Sequence, residues 1–109
     1  MKEGKLYING SWIRSSSRRT FDNLNPATGK LFGKYQAGNA KDVKKAVQSA
    51  STSLKSWKKT PAPMRAQILF ETSRLLRKNK DRLTKIIVLE MGKVWKEAAG
   101  DVQEAIDMF

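Results

Sequence analysis

Apolar side chains alternate with polar ones up to about residue 38, and from there they recur every third or fourth position to the end of the chain. A period of two suits a half-buried strand and a period near 3.6 suits a helix with one buried stripe, so extended structure must come first and helices follow. Glycine respects the same divide. Gly4, Gly10, Gly29, Gly33 and Gly38 punctuate the first part, whereas the second has only Gly92 and Gly100.

In the first part, Leu6-Tyr7-Ile8-Asn9-Gly10-Ser11-Trp12-Ile13 places an Asn-Gly pair between β-branched and aromatic residues. Both turn residues tolerate positive φ, which predicts a tight β-hairpin. Arg14 to Arg19, with three consecutive serines, is polar and without period, so a mobile loop is expected. Thr20 to Leu24 then reads as a strand, Asn25-Pro26-Ala27-Thr28-Gly29 as a turn, and Lys30 to Gln36 as the return strand of a second hairpin.

Four helices are expected after that. Asn39 is a good N-cap, Asp42 complements the dipole, and Val43, Ala46, Val47, Ala50, Leu54 and Trp57 form one stripe. After a break at Lys58 to Pro63, Thr60 is expected to cap and Pro61 to take the first helical position of the next helix, which carries Ile68, Leu69, Thr72, Leu75 and Leu76 and ends at Asn79. The third, Lys80 to Met91, is expected to bury Leu83, Ile86, Ile87 and Leu89 and to end at Gly92. The last starts near Val94 with Trp95, Ala98, Val102, Ile106 and Phe109 on one side. Its stripe reaches Phe109 with no cap, glycine or polar tail, which leads us to expect a covalent continuation of the polypeptide.

Twenty-two Lys and Arg against 10 Asp and Glu give a net charge of +12, unevenly spread: residues 1–40 carry 7 basic and 2 acidic side chains, 41–85 carry 13 and 3, and 86–109 carry 2 and 5. Such a balance invites a nucleic-acid reading, but that requires six to ten cations on one face, and Lys44-Lys45, Lys58-Lys59 and the arginines at 65, 74 and 77 fall on different elements or faces. With neither Cys nor His, the chain has no disulfide framework, no thiol nucleophile, no His general base and no Cys- or His-based metal site. No phosphate-cradling glycine loop occurs, and the carboxylates Asp101, Glu104 and Asp107 sit at helical spacing near lysines, where solvated charges are the plainer reading. Trp12, Trp57 and Trp95 read as core or interface anchors, and Met64, Met91 and Met108 as packing. No apolar run is long enough to span a membrane, no secretory h-region is present, and the default is a soluble cytoplasmic protein.

Five segments in fixed order carry a resemblance: Leu6-Tyr7-Ile8-Asn9-Gly10-Ser11-Trp12, Asn25-Pro26-Ala27-Thr28-Gly29-Lys30, Asp42-Val43 with Ala46-Val47, Trp57 with Pro63-Met64-Arg65 and Leu75-Leu76, and Leu89-Glu90-Met91-Gly92-Lys93. Together they resemble the amino-terminal portion of the NAD(P)-dependent aldehyde dehydrogenase superfamily over essentially all 109 residues. The resemblance implies an α/β fold class: amino-terminal β-hairpins and helices of a cofactor-binding domain, incomplete without the rest of the chain. Residues 1–38 would be its β-hairpin segment and 39–109 its helical segment, both scaffold. The whole enzyme would oxidise an aldehyde to a carboxylic acid through a covalent thiohemiacetal, with hydride transfer to NAD or NADP. Its catalytic and dinucleotide-binding residues would all lie outside this segment, so no catalytic or cofactor-binding position is assigned here. The implied partners are the remainder of its own chain, an aldehyde and further copies in a homo-oligomer, with no nucleic acid and no membrane.

One minor site carries over. Many members hold a structural monovalent cation on backbone carbonyls, which here would be those of Asn23, Leu24 and Glu90. The family's usual proline after Gly-Lys is replaced by Val94, which questions the sharpness of the last helix start. Two other classes stay open: a small basic module docking on nucleic acid or an acidic partner, with salt-sensitive binding, and a self-associating helical module.

Overall fold

A computed structural model describes residues 3–109. Its elements run β1 (Glu3–Gly4), β2 (Leu6–Ile8), β3 (Ser11–Ile13), β4 (Thr20–Leu24), β5 (Leu31–Gln36), α1 (Ala40–Trp57), α2 (Ala62–Lys78), α3 (Lys80–Met91) and α4 (Trp95–Met108). They form two compact units. One comprises the described residues up to Leu24 with Leu31–Lys59; the other comprises Asn25–Lys30 with Thr60–Phe109. Thus α1 belongs with the strands, and the turn of the second hairpin belongs with the other three helices.

In the strand unit, β2 and β3 pair antiparallel with Tyr7 opposite Trp12, whose rings lie 4.9 Å apart. Asn9 and Gly10 have φ of 52° and 74°, the double positive φ that lets a two-residue turn follow the strand twist. The second sheet has the order β1-β5-β4, with β4 and β5 antiparallel. Sequence pattern does not foresee β1, a two-residue strand running parallel to β5 across thirty residues of chain.

Of the four helix starts, that of α1 has a side-chain cap and those of α2, α3 and α4 have none. Asn39 Oδ1 accepts from the N–H groups of Lys41 and Asp42, and Asp42 accepts from Asn39 N–H, a complete capping box. At α2 the expectation is corrected: Pro61, with ψ of 143°, is the N-cap, the helix starts at Ala62, and no side chain caps it. The reason is that Pro63 sits in the first turn, where its missing N–H costs nothing, so a Thr60 cap has no role. Val94 also has an extended ψ, 148°, and its carbonyl accepts from Ala98 N–H at 3.1 Å, so α4 starts sharply without a proline. Gly92 closes α3 in the left-handed region at φ 73°.

In the helical unit, α4 packs on both α2 and α3. Ala98, Val102 and Ile106 are buried there, as is Thr84 of α3, and Ser73 of α2 donates to the Ile106 carbonyl at 2.7 Å. Leu83, Ile86, Ile87 and Leu89, expected to be buried, are only half-buried. In the strand unit the buried apolar side chain is Ile8, and its other buried side chains are Ser15, Gln36 and Asp42. The stripes are in place but uncovered. Val43, Val47, Leu54 and Trp57 of α1 are 62%, 58%, 54% and 41% exposed, and Met64, Ile68, Leu69 and Leu75 of α2 are exposed too.

Candidate functional site

The densest polar cluster is built around Asp42 in the strand unit. Ser15 Oγ donates to Asp42 Oδ2 at 2.8 Å, Ser16 N–H to Oδ1 at 3.0 Å and Asn39 N–H to Oδ2 at 3.0 Å. Three donors, the Ser16 amide shared between both oxygens, hold the carboxylate ionised. The Ser16 amide, then the Ser15 hydroxyl, lower its pKa from 3.8 to about 2, against a burial that by itself would raise it. Around it, Ser15 N–H donates to Gln36 Oε1 at 2.8 Å and Ser17 Oγ to the Ala37 carbonyl at 2.7 Å. This corrects the expectation for Arg14 to Arg19. The serine run is pinned, because its hydroxyls and amides find fixed acceptors on β5, on α1 and on the short link between them.

Chemically, the cluster can hold a loop but cannot do acid-base work at neutral pH. A carboxylate titrating near pH 2 and saturated by donors neither takes nor gives a proton. Ser15 is a hydrogen-bond donor to a carboxylate, with no base beside it to activate it as a nucleophile. In the sequence Asp42 reads as a dipole partner only; the Asn39-x-x-Asp42 spacing is the available sign of a capping box, whereas Ser15 and Gln36 give none.

In the helical unit, Lys93 Nζ meets Asp101 Oδ2 at 2.6 Å, and this hydrogen bond raises the lysine pKa. Asp107 accepts from Gln103 Nε2 at 2.8 Å. The helical carboxylates therefore tie α4 together and do not face each other as an acid-base pair. Several cations are likewise committed: Arg74 to Glu71, Arg65 to the Thr60 carbonyl and Lys80 to Gln103. Among the described residues no group of three or more His, Cys, Asp or Glu side chains is placed to hold a metal ion, and no helix is long and apolar enough to cross a membrane.

Two of the residues expected to offer carbonyls to a cation, Asn23 and Leu24, flank an irregularity of the sheet. Asn23 pairs with Gly33 and Leu24 with Leu31, so the β4–β5 register slips between them, and Phe32 is the extra residue. Glu90 lies in the last turn of α3, two residues before left-handed Gly92. Asn23 and Leu24 belong to the strand unit and Glu90 to the helical unit. Within the helical unit, Gly92 also faces the second hairpin's turn: a Cβ on it would lie 3.0 Å from Pro26 Cγ.

Comparison with known proteins gives these elements a context. Residues 12–109 match the family described as the aldehyde dehydrogenase family. The malonate-semialdehyde dehydrogenase of Bacillus cytotoxicus is 40% identical over 107 residues, covering 98% of this chain and 22% of its own length. Among solved structures, a 3,6-anhydro-L-galactose dehydrogenase in complex with NAP superposes with a TM-score of 0.91 at 33% identity, over 94% of this chain and 21% of that one. An NAD-dependent aldehyde dehydrogenase from Sinorhizobium meliloti gives 0.91 at 25% identity, over 97% and 22%. The chain thus spans about one fifth of the length of the relatives it matches.

Proposed function

This chain belongs to the aldehyde dehydrogenase family, and from that premise we propose that it supplies the amino-terminal scaffold of an enzyme that oxidises an aldehyde to a carboxylic acid with NAD or NADP. Catalytic and dinucleotide-binding groups come, on this reading, from polypeptide other than these 109 residues; NAD(P) supplies the hydride acceptor. What these residues do is hold position. The Asp42 cluster fixes the serine loop to α1, Lys93 fixes the Gly92 corner to α4, and the two segments 1–38 and 39–109 serve one cofactor-binding domain. A cytoplasmic setting, a homo-oligomer and a monovalent cation on the carbonyls of Asn23, Leu24 and Glu90 belong to the same reading.

One observation carries the proposal. The α1 stripe is regular in sequence yet exposed along its length, and the strand unit buries almost nothing apolar beneath it. Burying one Leu-sized side chain contributes about 1.5–3 kcal/mol, so four left uncovered forgo an amount comparable with a whole domain's stability of about 5–15 kcal/mol. Such faces suit a segment that clothes other polypeptide.

The test is a chimera in which this chain replaces the matching amino-terminal fifth of the B. cytotoxicus enzyme, assayed with NAD, NADP, malonate semialdehyde and short aldehydes. The chimera is expected to turn over while residues 1–109 alone do not. A soluble, folded chimera without activity, or reproducible turnover by the 109 residues alone, refutes the scaffold assignment.

A further inference from the structure

The strand unit contains a cleft of about 850 Å³ whose rim is cationic and whose floor is fixed. Arg14, Arg18 and Lys34 line it together with one carboxylate, Glu3. The floor is made by Ser15 and Gln36, respectively 2% and 6% exposed, whose hydrogen bonds are satisfied within the protein: Ser15 N–H to Gln36 Oε1, and Gln36 Nε2 to Glu3 at 2.5 Å. The three cations are unequally committed. Lys34 sits 3.2 Å from Asp22, and Arg14 is 3.9 Å from Glu3, beyond hydrogen-bonding distance. Arg18 has no side-chain hydrogen bond or ion pair among the described residues.

Arg18 is also held in place at a cost. Its φ of 56° lies in the left-handed region, which glycine or asparagine enters far more readily. The conformation is enforced from several sides: Arg18 N–H donates to the Ser15 carbonyl at 3.0 Å, Arg19 N–H to Ser17 Oγ at 3.2 Å, and Ala37 N–H to the Arg19 carbonyl at 2.9 Å. An unpaired guanidinium on a pinned loop, over a cavity with three cations and one anion, is suited to an oxyanion that presents two neighbouring oxygens, which it can meet with two parallel N–H groups.

We propose that this cleft binds a small multivalent oxyanion, with Arg18 as its principal ligand, Arg14 and Lys34 as supporting charges and Glu3 as the opposing charge. Phosphoryl and carboxylate ligands share this chemistry. The site is independent of the aldehyde-oxidising reading, because its residues and its test involve no turnover.

The test titrates the 109-residue chain with inorganic pyrophosphate in one arm and succinate in the other, by calorimetry and by the shift in unfolding temperature. An anion that binds only the folded form raises that temperature, so binding registers even if the free chain is marginally folded. Saturable binding in either arm is expected, weakening with added salt, and the stronger arm identifies the source as phosphoryl or carboxylate. Arg18→Ala and Arg18→Gly are expected to weaken it at least about tenfold, as loss of a charge-assisted pair does. Arg18→Gly should do so without lowering the ligand-free unfolding temperature, and Glu3→Gln should tighten binding. No saturable binding in either arm, or undiminished affinity in Arg18→Ala, overturns the proposal.

Discussion

Asp42 shows how one carboxylate can set the acid limit of a local structure. Its folded pKa of about 2 lies below the ordinary 3.8, so its contribution to stability is fully present above that ordinary value. It is lost as pH falls through the window from about 4 to about 2. Unfolding midpoints measured from pH 6 to pH 2 should drop across that window, and Asp42→Asn should flatten the drop while lowering the midpoint at pH 6. Thr84 is the opposite case. It is fully buried, and its hydroxyl has no hydrogen-bond partner. Replacing it by the isosteric valine removes an unsatisfied group, so Thr84→Val is expected to stabilise the protein by about 1 kcal/mol, read by denaturant titration. Neither residue's state was legible in the sequence. Ser15 and Thr84 look like any polar residue in a loop or on a helix, and only tertiary partners decide whether a hydroxyl is satisfied.

Elements were far more legible where local chemistry decides them. The Asn9-Gly10 turn, the Asn39 cap and the Gly92 stop all follow from φ preferences or side-chain reach within four residues. What escaped was set at a distance or by competing local signals. β1 exists only because β5 offers it an edge thirty residues away, and at Pro61 and Pro63 two prolines compete for one helix start. Gly92 invites a direct test. An alanine there must adopt φ 73° and bring its Cβ to 3.0 Å from Pro26 Cγ, so Gly92→Ala is expected to cost about 1–2 kcal/mol, measured as a lower midpoint in thermal or urea unfolding.

For the whole molecule, the uncovered stripes govern behaviour in solution. Isolated residues 1–109 should self-associate or expose apolar surface, checked by light scattering at several concentrations and by binding of a hydrophobic dye; a chain that stays monomeric at every concentration and binds no dye would count against this. Val47→Lys and Leu54→Lys should change the isolated chain's stability by less than about 0.5 kcal/mol, as surface changes do. In the chimera the same changes should cost several-fold more, since there the stripe is covered. Of the candidate cation positions, the resemblance alone names Asn23, Leu24 and Glu90, and the register shift between Asn23 and Leu24 emerged only with the strand pairing in view. The threading of the backbone has its own consequence. Because the chain changes units at 24/25, 30/31 and 59/60, no single scission liberates either one. Protease nicking between α1 and α2 should therefore leave Asn25–Lys30 on the fragment that lacks Thr60–Phe109, and expressing the helical unit whole would require rejoining those two segments.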